Sequence, residues 1–132
     1  MSSVSFVIPV YNKSSFLKYV IESLKHQLGS FDREFIFIDD GSTDDSYKLL
    51  RFLTKNLKNT KIFRQKNKGS ANATNVGIKK ARMEYLKFLD ADDIILSRTT
   101  LSLLNILEKN SNVVLAYGLQ RKVEYLKDVD IF

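Results

Sequence analysis

Short unbroken apolar runs alternate along the chain with longer stretches in which apolar residues recur every three or four positions. Val4-Ser5-Phe6-Val7-Ile8-Pro9-Val10 is a run of the first kind, dense in β-branched residues, and reads as a strand buried on both faces of a parallel sheet. Pro9 marks its end, because proline has no N–H to give to a ladder. Beyond it Phe16, Leu17, Val20, Ile21, Leu24 and Leu28 keep helical spacing while Lys18, Glu22 and Lys25 fall between them, so an amphipathic helix follows, with Ser14 and Ser15 placed to cap it. Glu34 to Ile38 predicts a second buried strand, and Tyr47, Leu49, Leu50, Phe52, Leu53 and Leu57 a second helix. Then come a short strand at Lys61–Arg64, a helix of small residues from Ala71 to Ala81 able to lie close to a sheet, and a fourth strand from Tyr85 to Leu89. A helix over Leu101–Leu107 and a fifth strand over Val113–Tyr117 complete the pattern, while Leu119 to Phe132 has no periodicity that assigns it. Such alternation predicts an α/β fold: an open, mostly parallel sheet with helices on both faces and right-handed crossovers, Rossmann-like in outline.

In open α/β sheets ligands bind beyond the carboxyl ends of strands, near the point where strand order reverses. Three polar clusters fall at such ends: Tyr11-Asn12 after the first strand, Asp39-Asp40 after the second, and Asp90 to Asp93 after the fourth. With the first and fourth strands as neighbours, all three surround one crevice. Converging carboxylates repel one another and raise each other's pKa unless a cation or a hydrogen-bonding ligand offsets the charge. Asp90-Ala91-Asp92 offers hard oxygen ligands without His or Cys, which suits Mg²⁺ or Mn²⁺ better than zinc or copper. Mg²⁺ takes only one or two carboxylates and fills its other positions with water and phosphate oxygens, so a nucleoside diphosphate is the natural co-ligand. Taken singly, Asp39 to Asp45 reads as a turn and helix cap, and Asp90 to Asp93 as a solvated turn. Their joint placement on one rim favours a binding site.

Composition narrows the class. At 132 residues, 44% apolar and 27% charged, the chain fits a single domain over 1–132 with enough apolar side chains for a core. No cysteine is present, which removes disulfides and thiolate chemistry; no apolar run reaches membrane-spanning length and Met1-Ser2-Ser3-Val4 opens no signal peptide, so the expected location is the cytoplasm. The net charge of +6 favours anionic partners, but the lysines and arginines are dispersed and not interleaved with aromatic residues, and no nucleic acid is expected as partner. His26, the sole histidine, sits among charges on a helix face and receives no role; Asn72-Ala73-Thr74 is a chance sequon; Gly69-Ser70 reads as a turn and cap. The first strand–helix turn lacks the glycine fingerprint of dinucleotide sites, and no phosphate loop ending in Gly-Lys-Ser/Thr occurs. An aspartyl-phosphate phosphatase would need most of its sheet after Asp90, where too little chain follows.

Three segments, Val4 to Asn12, Phe37 to Asp44 and Glu84 to Asp93, resemble in order the motifs of family 2 glycosyltransferases of the GT-A fold, over residues 4 to about 110. The resemblance implies transfer of a sugar from a nucleoside-diphosphate sugar, usually a UDP-sugar, to an acceptor hydroxyl with inversion. It implies that Pro9, Val10 and Tyr11 line the base pocket, that Asp40 accepts the uracil N–H, that Asp39 borders the nucleoside, that Asp90 lies near the ribose, and that Asp92 binds the Mn²⁺ or Mg²⁺ bridging the diphosphate. The acceptor implied is a glycan or a lipid-linked molecule, met at the cytoplasmic face of the membrane by peripheral association. Two departures stand out. Thr74-Asn75 occurs where many members carry Arg-Asn, and the family's general base lies well past the Asp-x-Asp motif, so the acceptor side of the domain is expected to be incomplete. Glu124, Asp128 and Asp130 are not promoted to that role. The alternatives are a Mg²⁺-binding phosphoacceptor receiver module, whose acidic pair follows the first strand, and a degenerate transferase domain that serves as a scaffold.

Overall fold

The computed structural model describes residues 1–124. Four strands, β1 (Ser3–Val10), β2 (Asp32–Asp39), β3 (Thr60–Arg64) and β4 (Tyr85–Phe88), alternate with four helices, α1 (Leu17–Lys25), α2 (Ser46–Leu53), α3 (Ser70–Lys80) and α4 (Thr99–Lys109). All strand pairs are parallel and their order is β3-β2-β1-β4. The chain therefore steps outward from β1 through β2 to β3, then returns across the sheet to place β4 on the far side of β1. That return is the topological switch point, and it lies between the neighbouring strands β1 and β4, as the site prediction required.

The central strands are apolar on both sides because both sides are covered. Phe6, Ile8, Phe35 and Phe37 point into a core shared with Leu17, Val20, Ile21 and Leu24 of α1, Leu50 of α2 and Leu104 of α4. On the opposite face Ile36 and Ile38 meet Ala73 of α3, with Val76 and Phe63 at the margin. The small residues of α3 explain how close it lies. A Cβ on Gly77 would overlap the Val7 side chain of β1. Helix propensity is given up at this position for a tight helix–sheet approach.

Two expectations are corrected. Val113–Tyr117 forms no strand among the described residues: Val114, Leu115 and Tyr117 are 95%, 73% and 85% exposed. Apolar content alone does not hold a strand; a neighbouring ladder must satisfy its backbone, and none of the described strands lies beside it. Ser14 and Ser15 do not cap α1. Its N-cap is Phe16, without a side-chain cap, and the first turn is instead closed by the Lys13 carbonyl, which accepts the N–H groups of Phe16 (2.9 Å) and Leu17 (3.2 Å). Ser14 turns its own N–H outward to Asp44. Of the unassigned stretch Leu119–Phe132, residues 125–132, with Asp128 and Asp130, lie outside the described residues.

Candidate functional site

Register sets the site. Val10 of β1 is paired with Asp39 of β2, Asp39 with Arg64 of β3, and Val7 with Phe88 of β4, so all four strands deliver their next residues to the same rim. The first of these is the turn Tyr11-Asn12-Lys13. Asn12 adopts φ 51°, a left-handed conformation that asparagine tolerates better than most residues. Its side-chain oxygen accepts the N–H groups of Thr43 (2.8 Å) and Asp44 (3.3 Å), its own N–H donates to Ser42 Oγ (3.0 Å), and the Lys13 N–H donates to Ser46 Oγ (2.8 Å). The turn after β1 is thereby stitched to the turn after β2.

The two aspartates that end β2 have different surroundings. Asp39 has no exposed surface; its carboxylate takes Arg64 Nε (3.1 Å) and the Ser42 N–H (3.3 Å), leaving Oδ1 without a partner among the described residues. Arg64 also donates to the Ser42 carbonyl (3.0 Å) and lies over the Tyr47 ring, 4.6 Å from its centroid. The Asp40 N–H donates to the Val10 carbonyl (2.8 Å). Its carboxylate accepts three hydrogen bonds from the segment after β3: Gln65 Nε2 (2.7 Å), the Lys68 N–H (2.9 Å) and the Gly69 N–H (2.8 Å). The amide that Gly69 presents at the start of α3 thus binds an anion from within the chain. Gly41, at φ 72°, makes the approach possible, since a Cβ there would stand 2.8 Å from the Asn67 backbone nitrogen.

At the end of β4, Leu89 continues the ladder with an N–H to the Val7 carbonyl (3.2 Å), and Ala91 is buried. Asp90, Asp92 and Asp93 are exposed around it, in a turn closed by the Asp93 N–H to the Asp90 carbonyl (3.0 Å). Partial burial, then the charges of Asp90 and Asp92, push the Asp93 carboxyl above the usual range, against the pull of Lys13. Lys13 Nζ is 2.5 Å from Asp92 Oδ2. The end of β1 therefore touches both acidic clusters, Asp40 through Val10 and Asp92 through Lys13. Tyr11, 44% exposed, stands free between them in sequence, with Pro9 half-buried and Val10 buried behind it.

The site's chemistry is that of an open, anionic rim. Among the described residues no three acidic, His or Cys side chains converge as a metal cage. The donor set that remains, hard carboxylate oxygens at Asp90 and Asp92 with one of them already drawing a cationic side chain, fits a Mg²⁺- or Mn²⁺-class ion that completes its shell with ligand oxygens. Two surface depressions lie elsewhere, one between α2 and β3 lined by Tyr47, Arg51 and Ile62, the other at the opposite sheet end near Phe31 and Arg33. Sequence reading did not find Lys13, Arg64 or Gln65. Arg64 and Gln65 carried a usable signal, since they follow β3 as the aspartates follow β2; Lys13 carried only its adjacency to Asn12. Asn75, which occupies the exposed outer side of α3, is not part of the rim's hydrogen-bond network as described.

Comparison with known proteins places the arrangement. The model described as glycosyl transferase family 2 matches residues 5–127. An uncharacterized glycosyltransferase of Rickettsia bellii is 36% identical over 98% of this chain and 19% of its own length. The poly(ribitol-phosphate) beta-N-acetylglucosaminyltransferase TarP of Staphylococcus aureus is 36% identical over 92% of this chain and 38% of its own. In structure, S. aureus TarS 1–349 in complex with UDP-GlcNAc superposes with a TM-score of 0.72 at 26% identity, over 83% of this chain and 32% of that one. The chain spans less than half the length of each.

Proposed function

The chain belongs to glycosyl transferase family 2, with the open parallel sheet of the GT-A glycosyltransferases, and from that premise we propose that its rim is the donor site of an inverting transferase that uses a UDP-sugar. The observation that carries the reading is that Asp40, through its backbone N–H to Val10, and Asp92, through Lys13, both meet the end of β1 although their turns lie 52 positions apart in the chain. Tyr11 offers an exposed ring for the base, over a floor of Pro9 and Val10. Asp40, with its carboxylate set by Gln65, Lys68 and Gly69, is placed to accept the base N–H. Asp39 borders this pocket from beneath, positioning it through Ser42 and Arg64. Asp90 stands toward the ribose. Asp92, with Asp90, would hold a divalent cation, which when bound offsets the charge that develops on the departing diphosphate.

Such a site activates the donor; the hydroxyl that receives the sugar belongs to the acceptor molecule, and none of the described residues is assigned as the base that deprotonates it. TarS is described with UDP and with UDP-GlcNAc, and TarP is named for transfer to a ribitol-phosphate polymer. These support a UDP-sugar donor; in this reading the acceptor is a glycan or a lipid-linked molecule, met at the cytoplasmic membrane face by peripheral association, and no described helix is long and apolar enough to cross a membrane. A receiver module would carry its acidic pair at the end of β1, where this chain has Tyr11 and Asn12.

Calorimetry with UDP tests the reading. Binding is expected only with Mn²⁺ or Mg²⁺ present, and Asp40→Ala and Asp92→Ala each weaken it about tenfold or more, the scale of a lost charge-assisted contact. Binding that ignores the cation, or none by any nucleoside diphosphate, overturns it; the latter outcome is that of a domain retained as a scaffold.

A further inference from the structure

Lys13 is a cation at this rim whose place the donor reading leaves open. Its backbone is fixed at both ends: the N–H donates to Ser46 Oγ, and the carbonyl closes the first turn of α1. The side chain therefore leaves a rigid point, passes the Phe16 ring with Nζ 5.8 Å from the centroid, and ends 2.5 Å from Asp92 Oδ2. An ammonium and a divalent cation held against the same carboxylate repel each other at short range, so the two compete for Asp92. The pair is about one-third exposed on each side, 34% and 38%, and an ion pair so wetted is weak and exchangeable. An incoming ion alone finds too few protein ligands here to displace it decisively. An ion that brings diphosphate oxygens does not need them.

We propose that Lys13 is a built-in counter-ion of Asp92, holding that carboxylate in the empty site and releasing it when a divalent cation arrives together with the nucleoside diphosphate, so that the two load as one unit. The proposal rests on the donor-site reading and adds to it a residue that sets the order of loading. It also explains how the rim bears its acids before any ligand is present, because the ammonium neutralises one of them and stands near Asp93.

Titration of Mn²⁺ without nucleotide, followed by the electron paramagnetic resonance signal of the free ion, tests it. Lys13→Met leaves the backbone contact to Ser46 in place and is expected to bind Mn²⁺ about three-fold more tightly than the parent, the scale set by a partly exposed ion pair. Lys13→Arg, which keeps the charge, stays near the parent value. The gain disappears when Asp92→Asn is also present, and circular dichroism confirms that each variant is folded. Equal Mn²⁺ affinity in parent and Lys13→Met, including no detectable binding by either, overturns the proposal, as does a gain that survives Asp92→Asn. A parallel titration with UDP present separates the two failures. If the parent retains Mn²⁺ only with UDP and Lys13→Met changes nothing, the counter-ion role alone falls; if UDP recruits no Mn²⁺ to the parent, the donor-site reading falls with it.

Discussion

Asp44 shows what a single side chain does for this rim. It accepts the N–H groups of Ser46 (2.9 Å) and Ser14 (3.1 Å), joining the start of α2 to the turn that precedes α1. Burial pushes its carboxyl upward, but the hydrogen bonds from Ser46 and Ser14 outweigh it and leave the pKa at about 2. An unfolded aspartate titrates at about 3.9, so the stabilisation is complete above that value and is lost as pH falls from about 4 toward 2. The group is exposed, and solvent screening keeps the slope shallow. Denaturant midpoints measured across that window are expected to fall in the parent and to flatten in Asp44→Asn. The aspartates at strand ends were legible in the sequence because the strand-end rule needs only a buried run and the acid that follows it. Their partners were not: Asp40 is held by residues 25 to 29 positions later, and Asp92 by one 79 positions earlier. Spacing along the chain carries no trace of a contact made by strand order.

At the scale of elements, β1, β2 and α3 were legible from periodicity, and the close approach of α3 from its small residues. Gly77→Ala is expected to destabilise by about 1–3 kcal/mol through overlap with Val7, despite alanine's better helix propensity, and Val7→Ala in the same chain recovers part of the loss; urea unfolding checks the sign. What periodicity could not show is the polar joint at the other end of the sheet. Glu34, 3% exposed, accepts Ser5 Oγ (2.7 Å), Lys61 Nζ (2.8 Å) and the Arg82 N–H (2.7 Å), and so fastens β1, β2, β3 and the entry to β4 at one carboxylate. Burial raises its pKa, the bonds from Lys61, Ser5 and Arg82 lower it, and the net shift is downward. Glu34→Ala leaves those donors facing a void and is expected to cost about 3 kcal/mol in the same unfolding experiment. A lone glutamate at the start of a strand gave no hint of this. The Val113–Tyr117 run misled for the converse reason: its composition suited a strand, and its neighbours supplied no ladder.

For the whole molecule, the two sheet edges differ. Helix α2 packs against β3, whereas among the described residues β4 has no strand on its outer side and carries Leu86 and Phe88, 41% and 50% exposed on the same face. An unpaired edge with apolar side chains is a template for association. The 132-residue polypeptide is therefore expected to self-associate with rising concentration, and Phe88→Lys to shift sedimentation toward the monomer without changing UDP affinity. Heat acts from the opposite edge. Arg64 ends the outermost described strand on that side, and from there its guanidinium reaches both Asp39 and the Ser42 carbonyl. Edge strands open before central ones. In the donor-site reading, nucleotide binding is therefore expected to fail on warming before circular dichroism reports loss of the core.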